Sequence, residues 1–167
     1  TVKINFIKSE DYVQTMKLFI DYVKTLGIDC NKVEGSINFD PYTCALRKGE
    51  FCGGGLEKRY EEMITIMQMV RENIPAFDVV TVNGNVFNNA GAAIVQELAY
   101  TLSAANEYMY NLTSRGVAAH SVGYRMVFSF ATGSNYFMEI AKLRGARLLW
   151  TKIGEQYNPK CQTAYEL

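Results

Sequence analysis

The stretch that decides the fold is Val79-Val80-Thr81-Val82, a short run rich in β-branched residues, followed after a turn by an amphipathic segment. Apolar side chains recur in that segment at steps of three and four residues, which is helical spacing: Val95, Leu98, Leu102, Ala105, Met109 and Leu112. Asn83-Gly84-Asn85 separates the two segments and predicts a loop at the carboxyl end of the strand. Together these features predict one strand–helix unit of a parallel sheet.

The same strand-then-helix order occurs three more times. Strands are predicted at 2–6, 36–39 and 126–130, with helices around 13–23, 63–74 and 135–156, and a fifth strand is expected to begin near Thr163. Ser9-Glu10-Asp11 is predicted to begin the first helix, and Asp40-Pro41 to stop the second strand and open a long connection. Phe137 is one of the apolar residues in the pattern of the last helix. This alternation predicts the α/β class with right-handed crossovers. Two architectures fit the periodicity: a doubly wound sheet, and a partial TIM-type (β/α)8 barrel of about four βα units. Both bind ligands at the carboxyl ends of strands, which directs attention to 40–55, 83–91 and 131–134.

Composition excludes several classes of protein. Lys plus Arg and Asp plus Glu each number 17, so the chain lacks the basic excess of a nucleic-acid-binding protein. No apolar run reaches the roughly 18 residues of a membrane span, and no signal peptide is recognisable. The four cysteines show no C-x-x-C spacing, which favours free thiols in a reducing compartment. The sequence predicts a cytoplasmic protein that binds neither nucleic acid nor membrane.

No complete set of catalytic or metal-binding residues stands out. His120 is the only histidine, and it precedes the fourth predicted strand, at the end opposite to the one where barrels do chemistry. Gly53-Gly54-Gly55 is not followed by the Lys of a phosphate-binding loop and predicts a flexible turn. The residues alone therefore predict no active site and no metal site.

Two blocks carry a family resemblance: Gln96-Glu97-Leu98-Ala99-Tyr100-Thr101-Leu102 and Asn135-Tyr136-Phe137-Met138-Glu139-Ile140-Ala141-Lys142-Leu143-Arg144. Their order and spacing resemble the barrel domain of the methylmalonyl-CoA mutase family, most densely over 82–159. The resemblance implies that residues 1–167 form a single fragment of the acyl-CoA mutase β/α barrel domain, with the cobalamin-binding domain outside this chain. It also implies the family reaction, the adenosylcobalamin-dependent interconversion of methylmalonyl-CoA and succinyl-CoA.

The chain departs from the family at the positions that handle the substrate. The resemblance aligns Asn83-Gly84-Asn85-Val86 with the Ser-Gly-Tyr-His of the family's catalytic subunit. The two patterns share only the Gly. Val86 cannot donate a hydrogen bond, and Asn85 offers no aromatic face. A family Gln is shortened to Asn38. The resemblance thus implies that Asn38, Asn85 and Val86 are vestigial and that no catalytic residue remains.

Two basic residues match positions that contact ligand in the family. Arg125 resembles the Arg that meets coenzyme A, and Lys48 falls where an Arg meets the substrate carboxylate. The resemblance implies that these two side chains are the candidate acyl-CoA contacts of this chain.

The departures imply a fragment of the small, non-catalytic subunit, which is itself inactive and supports a catalytic large subunit in a heterodimer. Adenosylcobalamin would then belong to the holoenzyme and not to this fragment. Two alternatives remain open: an active acyl-CoA mutase with altered substrate choice, and a non-enzymatic coenzyme A binding module that acts through Arg125. A half barrel is also expected to expose apolar strand edges, so the isolated fragment is predicted to self-associate.

Overall fold

A computed structural model of the chain describes residues 3–7, 11–51 and 54–157. Four strands occur in these ranges: β1 (Ile4–Phe6), β2 (Gly35–Phe39), β3 (Phe77–Asn83) and β4 (Met126–Ser129). Seven α-helices accompany them in the described ranges: α1 (Tyr12–Thr25), α2 (Pro41–Lys48), α3 (Leu56–Asn73), α4 (Asn85–Asn89), α5 (Ile94–Ser114), α6 (Ala119–Gly123) and α7 (Tyr136–Tyr157). A short 3-10 helix spans Cys30–Lys32. The chain divides into two compact units, residues 1–81 and 82–167.

The first unit is a parallel arrangement of strands with two long helices. β1 pairs with β2, and β2 pairs with β3, both in parallel register. Gly35 is required where β2 pairs with β1, because a Cβ on Gly35 would lie 1.9 Å from the carbonyl oxygen of Ile4. Helices α1 and α3 pack together in this unit. Its core includes fully buried side chains from α1, β2, α3 and β3: Met16, Ile37, Met63, Ile66, Phe77 and Val80.

The second unit is centred on α5, which packs against α4, α6 and α7. Ala105, Met109 and Leu112 on α5 are completely buried, as the helical spacing in the sequence predicts. On β4, Phe128 meets the edge of Trp150 from α7 with ring centroids 5.0 Å apart. These contacts bury the apolar side chains of the unit, which is the main favourable term in its stability.

Strand order distinguishes the two architectures that periodicity left open. The sheet runs β1-β2-β3-β4, which is the order along the chain. A doubly wound sheet reverses its order at a switch point, whereas barrel strands follow one another in sequence. The prediction of an α/β chain with about four units of a (β/α)8 barrel is therefore confirmed.

Two segments predicted as loops are helical. Asp40 was expected to stop the second strand and open a long connection, but its carboxylate accepts a bond from the backbone N–H of Thr43 and caps α2. Pro41 then occupies the first turn, where the missing N–H does no harm. Residues 85–89, expected in a loop, form the single-turn helix α4. Both helices follow the carboxyl end of a strand, so they shape the ligand-binding edge expected of this fold.

The start of the first helix agrees with the prediction where the structure describes it. The Asp11 carboxylate accepts a bond from the N–H of Gln14 at 2.8 Å and caps α1. Ser9 and Glu10, the other predicted start residues, lie outside the described residues, as do Gly53 and the predicted fifth strand.

The predicted buried faces of α5 and α7 are partly wrong. Val95 is 70% exposed and Phe137 is 80% exposed, although both fit an apolar helical pattern. Charged residues take the buried positions instead: Glu97, Glu139 and Lys142. Within the described ranges, no helix combines the length and apolar character that crossing a bilayer would require.

Candidate functional site

The two candidate residues of the first unit lie before and at the end of α2. Asn38 is half-buried inside β2, one residue before the last residue of the strand. Lys48 is the last residue of α2 and is exposed. Eight helical residues rise roughly 12 Å at about 1.5 Å each, so α2 carries Lys48 well away from the end of β2. The assignment of Lys48 to a substrate carboxylate stays a prediction.

The turn after β3 is shaped by packing. Gly84 is buried, and a Cβ on it would lie 2.2 Å from the hydroxyl oxygen of Thr101 and 3.0 Å from the carbonyl oxygen of Ser129. Thr101 is held in place because its hydroxyl donates to the carbonyl of Glu97 at 2.6 Å. Gly84, the one residue shared with the Ser-Gly-Tyr-His pattern, is therefore needed for close approach of the backbone to its neighbours.

Asn85 and Val86 follow directly in the first turn of α4, and both are half-buried. Within the part of the chain that the structure describes, Asn85 Oδ1 is the buried side-chain oxygen for which no hydrogen-bond partner is found. A buried acceptor without a partner costs about 1–3 kcal/mol. Neither side chain ionises near neutral pH, so neither can act as a general acid or base.

Arg125 lies at the other end of the second unit's strand. It directly precedes β4, is half-buried, and places its guanidinium carbon 6.0 Å from the centre of the Tyr124 ring. His120 stacks on the same ring, with centroids 5.6 Å apart, and is exposed. The structure thus places Arg125 and His120 together near the amino end of β4. The proposed contact of Arg125 with coenzyme A remains a prediction.

A buried ionic cluster occupies the carboxyl end of β4, and sequence reasoning did not identify it. It consists of Glu97 on α5 and of Glu139 and Lys142 on α7, and we call it the Lys142 cluster. The ammonium nitrogen of Lys142 lies 2.8 Å from Glu97 Oε2 and 2.6 Å from Glu139 Oε2. The Lys142 and Glu97 side chains are 1% and 0% exposed. Such burial is tolerated only because each charge is paired and hydrogen-bonded.

The cluster also binds the backbone beyond β4. Lys142 donates a third bond, to the carbonyl of Ala131 at 2.6 Å, and the N–H of Ala131 donates to Glu97 Oε1 at 2.7 Å. An ammonium group has three protons, so Lys142 has none left for a ligand. Lys142 is therefore not available as a proton donor or nucleophile in this conformation.

The pKa values of Glu139 and Lys142 move in the direction that keeps these two groups charged. The bond from Lys142 lowers the pKa of Glu139 and outweighs the opposing effect of burial. Burial acts to lower the pKa of Lys142, but its bonds to Glu139 and Glu97 more than compensate and raise it. Both groups are consequently ionised around neutral pH.

A sequence signal for the cluster exists. Lys142, Ala146 and Trp150 are spaced four residues apart and share the buried face of α7. Glu97 and Thr101 have the same spacing on α5. A charged residue in register with a buried apolar face predicts a buried pair, and the two blocks of family resemblance contain Glu97, Thr101 and Lys142. Across the described ranges, His, Cys, Asp and Glu side chains do not gather in groups of three that could hold a metal ion.

The chain matches a known protein family along almost its whole length. The family model for methylmalonyl-CoA mutase matches residues 2–167. The methylmalonyl-CoA mutase small subunit of Porphyromonas gingivalis is 40% identical over 147 residues, which cover 85% of this chain and 23% of that protein. This chain therefore spans about a quarter of the length of that relative.

Other relatives match a shorter part. The methylmalonyl-CoA mutase of Rhizobium meliloti is 40% identical over 95 residues, 57% of this chain and 13% of that protein. The mutase large subunit of Porphyromonas gingivalis is 37% identical over 95 residues, again 57% of this chain and 13% of that protein. With a family model that matches residues 2–167 and a parallel βα fold in barrel order, the chain belongs to the methylmalonyl-CoA mutase family.

Proposed function

We propose that this chain is part of a small, non-catalytic mutase subunit that supports a catalytic large subunit in a heterodimer. The observation that carries the proposal is the turn after β3. Where the resemblance calls for Tyr and His, the first turn of α4 holds Asn85 and Val86. The Asn85 oxygen has no partner within the described ranges, and Val86 cannot donate a hydrogen bond. Polar donors aimed at the reacting carbonyl supply several kcal/mol in enzymes of this kind, and they are lost here.

The relatives support the same assignment. The match to a protein named as a small subunit extends over 85% of this chain, whereas the match to the large subunit of the same organism extends over 57%. In this proposal residues 1–167 are one fragment of the barrel domain, and the complete protein works in the cytoplasm.

Adenosylcobalamin is assigned to the holoenzyme, because the described residues of this chain do not suit it. His120 is the only histidine that could ligate cobalt. It is exposed, stacks on Tyr124 and lies near the amino end of β4. Ala118, two residues earlier, lacks the carboxylate that would orient a metal-bound imidazole. The cofactor is therefore proposed to bind outside this chain.

A second candidate function is coenzyme A binding without turnover, and the retained Arg125 favours it. Arg125 would pair with a phosphate of the coenzyme, with Lys48 as a weaker contact. Titration of the full-length chain with acyl-CoA tests this candidate. Binding that Arg125→Ala weakens at least tenfold supports it, and unchanged binding contradicts it.

Self-association of the isolated fragment is also proposed. Its support is the exposed apolar surface of α7, where Phe137 is 80% and Leu148 is 61% exposed. Sedimentation over a concentration series should show assembly that Phe137→Ser reduces. A monomer at every concentration would contradict this part of the proposal.

The main proposal is tested by methylmalonyl-CoA isomerisation with adenosylcobalamin. The full-length chain is assayed alone, with its large subunit, and as an Asn85→Ala/Val86→Ala variant in both settings. We expect no turnover from the chain alone and full turnover with the large subunit. Turnover by the chain alone that the double variant abolishes would replace the proposal with an active mutase of altered substrate choice.

A further inference from the structure

The loop that follows β4 is tied to two helices by charged side chains. Both backbone polar groups of Ala131 are used: its N–H donates to Glu97 and its carbonyl accepts from Lys142. The backbone N–H of Gly133 lies near the Glu139 carboxylate and helps to lower the pKa of that group. The backbone at 131–133 is thus held by three charged side chains, Glu97 from α5 and Glu139 and Lys142 from α7.

These bonds belong to the strongest class that proteins form. Hydrogen bonds with an ionised partner are shorter and roughly twice as strong as neutral ones. The distances at Ala131, 2.7 Å and 2.6 Å, lie at the short end of the usual range. Burial of Glu97 and Lys142 keeps water from competing for the same groups.

The loop lies where mobility would ordinarily be expected. Connecting loops at the carboxyl ends of barrel strands are surface segments that move more than the elements they join. Residues 132–135 are exposed, and Ala131 is half-buried. Opening the backbone at Ala131, however, would leave Oε1 of Glu97 and one proton of Lys142 without their hydrogen-bond partners in the interior.

We propose that Glu97 and Lys142 are positioning residues, which hold the loop at 131–133 in one conformation so that it opens only when the packing of α5 on α7 opens. The exposed groups of Thr132 and Ser134 are then presented in a fixed geometry at the edge of the sheet where β/α barrels bind ligands. A preformed loop avoids the ordering cost of binding. The inference goes beyond the proposed function, since it applies equally to a catalytic and a non-catalytic chain.

Site-specific amide hydrogen exchange in the full-length chain tests the proposal. Glu97→Gln/Lys142→Met removes one charge of each sign and keeps similar side-chain sizes. We expect exchange at Ala131 and Gly133 to accelerate at least tenfold, while amides of Met109 and Leu112 change less than threefold. The Ala131 amide proton resonance should also move, because its carboxylate acceptor is gone. The matched control, Glu107→Gln/Lys152→Met, alters two exposed residues on the same helices and should change neither readout.

The unmodified chain already provides a test that does not depend on a variant folding. Protection of the Ala131 amide comparable to that of Met109 supports the proposal. Exchange of Ala131 at the rate of an open loop amide overturns it, as does exchange that the double variant leaves unchanged.

Discussion

The carboxyl ends of β3 and β4 differ in how their polar groups are satisfied. After β3, a buried side-chain oxygen of Asn85 has no hydrogen-bond partner among the described residues, and the side chain of Val86 has no polar group. After β4, all three protons of Lys142 are used and Ala131 is bound at both its N–H and its carbonyl. The proposed function accounts for this difference: polar groups are retained where their partners lie in the same chain, and are proposed to be lost where the partner would be a substrate.

The largest effect is expected from breaking the end of β4. Lys142→Met in the full-length chain leaves the carboxylates of Glu97 and Glu139 buried without their cation. Removing one member of a buried ion pair costs about 3–5 kcal/mol, and we expect a loss of that size in the free energy of unfolding. Chemical denaturation measures it, and Lys152→Met, an exposed site on the same helix, should stay within about 0.5 kcal/mol.

A double variant sharpens this result. Glu97→Gln/Lys142→Met should lose less stability than Lys142→Met alone, because no unpaired charge is then left at Glu97. If the stability losses of Glu97→Gln and Lys142→Met alone added up to the loss of the double variant, the two side chains would not act as a pair. The contrast between the two strand ends would then be weaker.

The next effect concerns the glycine that shapes the end of β3. Gly84→Ala puts a methyl group 2.2 Å from the Thr101 hydroxyl oxygen, and overpacking of this kind costs about 1–3 kcal/mol. Gly145→Ala in α7 is the control, since a Cβ at Gly145 would lie 3.8 Å from its nearest neighbour, Leu98 Cδ2 of α5. Gly145→Ala should raise the free energy of unfolding by about 0.5–1 kcal/mol, because Ala has a higher helix propensity than Gly. Equal effects of the two changes on thermal unfolding would contradict the packing role of Gly84.

Much of the fold could be predicted from the sequence, because spacing encodes it directly. The period of Leu102, Ala105 and Met109 predicts α5, and the four strand–helix units follow from alternation. The helices α2 and α4 could not be predicted this way, because each is too short to show a period, although Asp40-Pro41 is a good cap.

The candidate site was harder to predict than the fold. Val95 and Phe137 fit an apolar stripe, yet the buried positions belong to Glu97 and Lys142. A hydrophobic pattern predicts that charged residues lie on the surface. That Glu97 and Lys142 neutralise each other becomes visible only when the structure brings α5 and α7 together. The proposed losses at Asn85 and Val86 rest on the resemblance alone, because only the family pattern implies Tyr and His at these positions.

A smaller effect is expected at Asn85 itself. Asn85→Leu removes the acceptor that lacks a partner and keeps a similar volume, so the free energy of unfolding should rise by about 1 kcal/mol. Asn111→Leu is the contrasting change, because the Asn111 amide donates to Glu107 at 2.7 Å and its loss should destabilise. A decrease in denaturation midpoint for Asn85→Leu would show that the Asn85 oxygen has a partner in solution.

The smallest effect is a change in the pH dependence of stability. The pKa of Glu139 is lowered below its ordinary 4.5, so its contribution is present above that pH and is lost as the pH falls through the lowered value. The pKa of Lys142 is raised above its ordinary 10.5, so its contribution is lost only as the pH rises through the raised value. Stability should therefore be flat with respect to these two groups between about pH 5 and pH 10. Denaturation at a series of pH values should show a shallower acid decline in Lys142→Met, and an unchanged decline would contradict the assignment.

The central claim is that the end of β3 has lost its chemistry, and turnover by the complex tests it most directly. The full-length chain carrying Asn85→Ala/Val86→Ala is combined with the large subunit, adenosylcobalamin and methylmalonyl-CoA, and kcat is measured beside the unsubstituted complex. We expect kcat to agree within about twofold, because ΔΔG‡ is near zero when neither side chain touches the reaction. A fall of more than tenfold, with assembly of the complex intact, would show that Asn85 and Val86 take part in catalysis and would contradict the account.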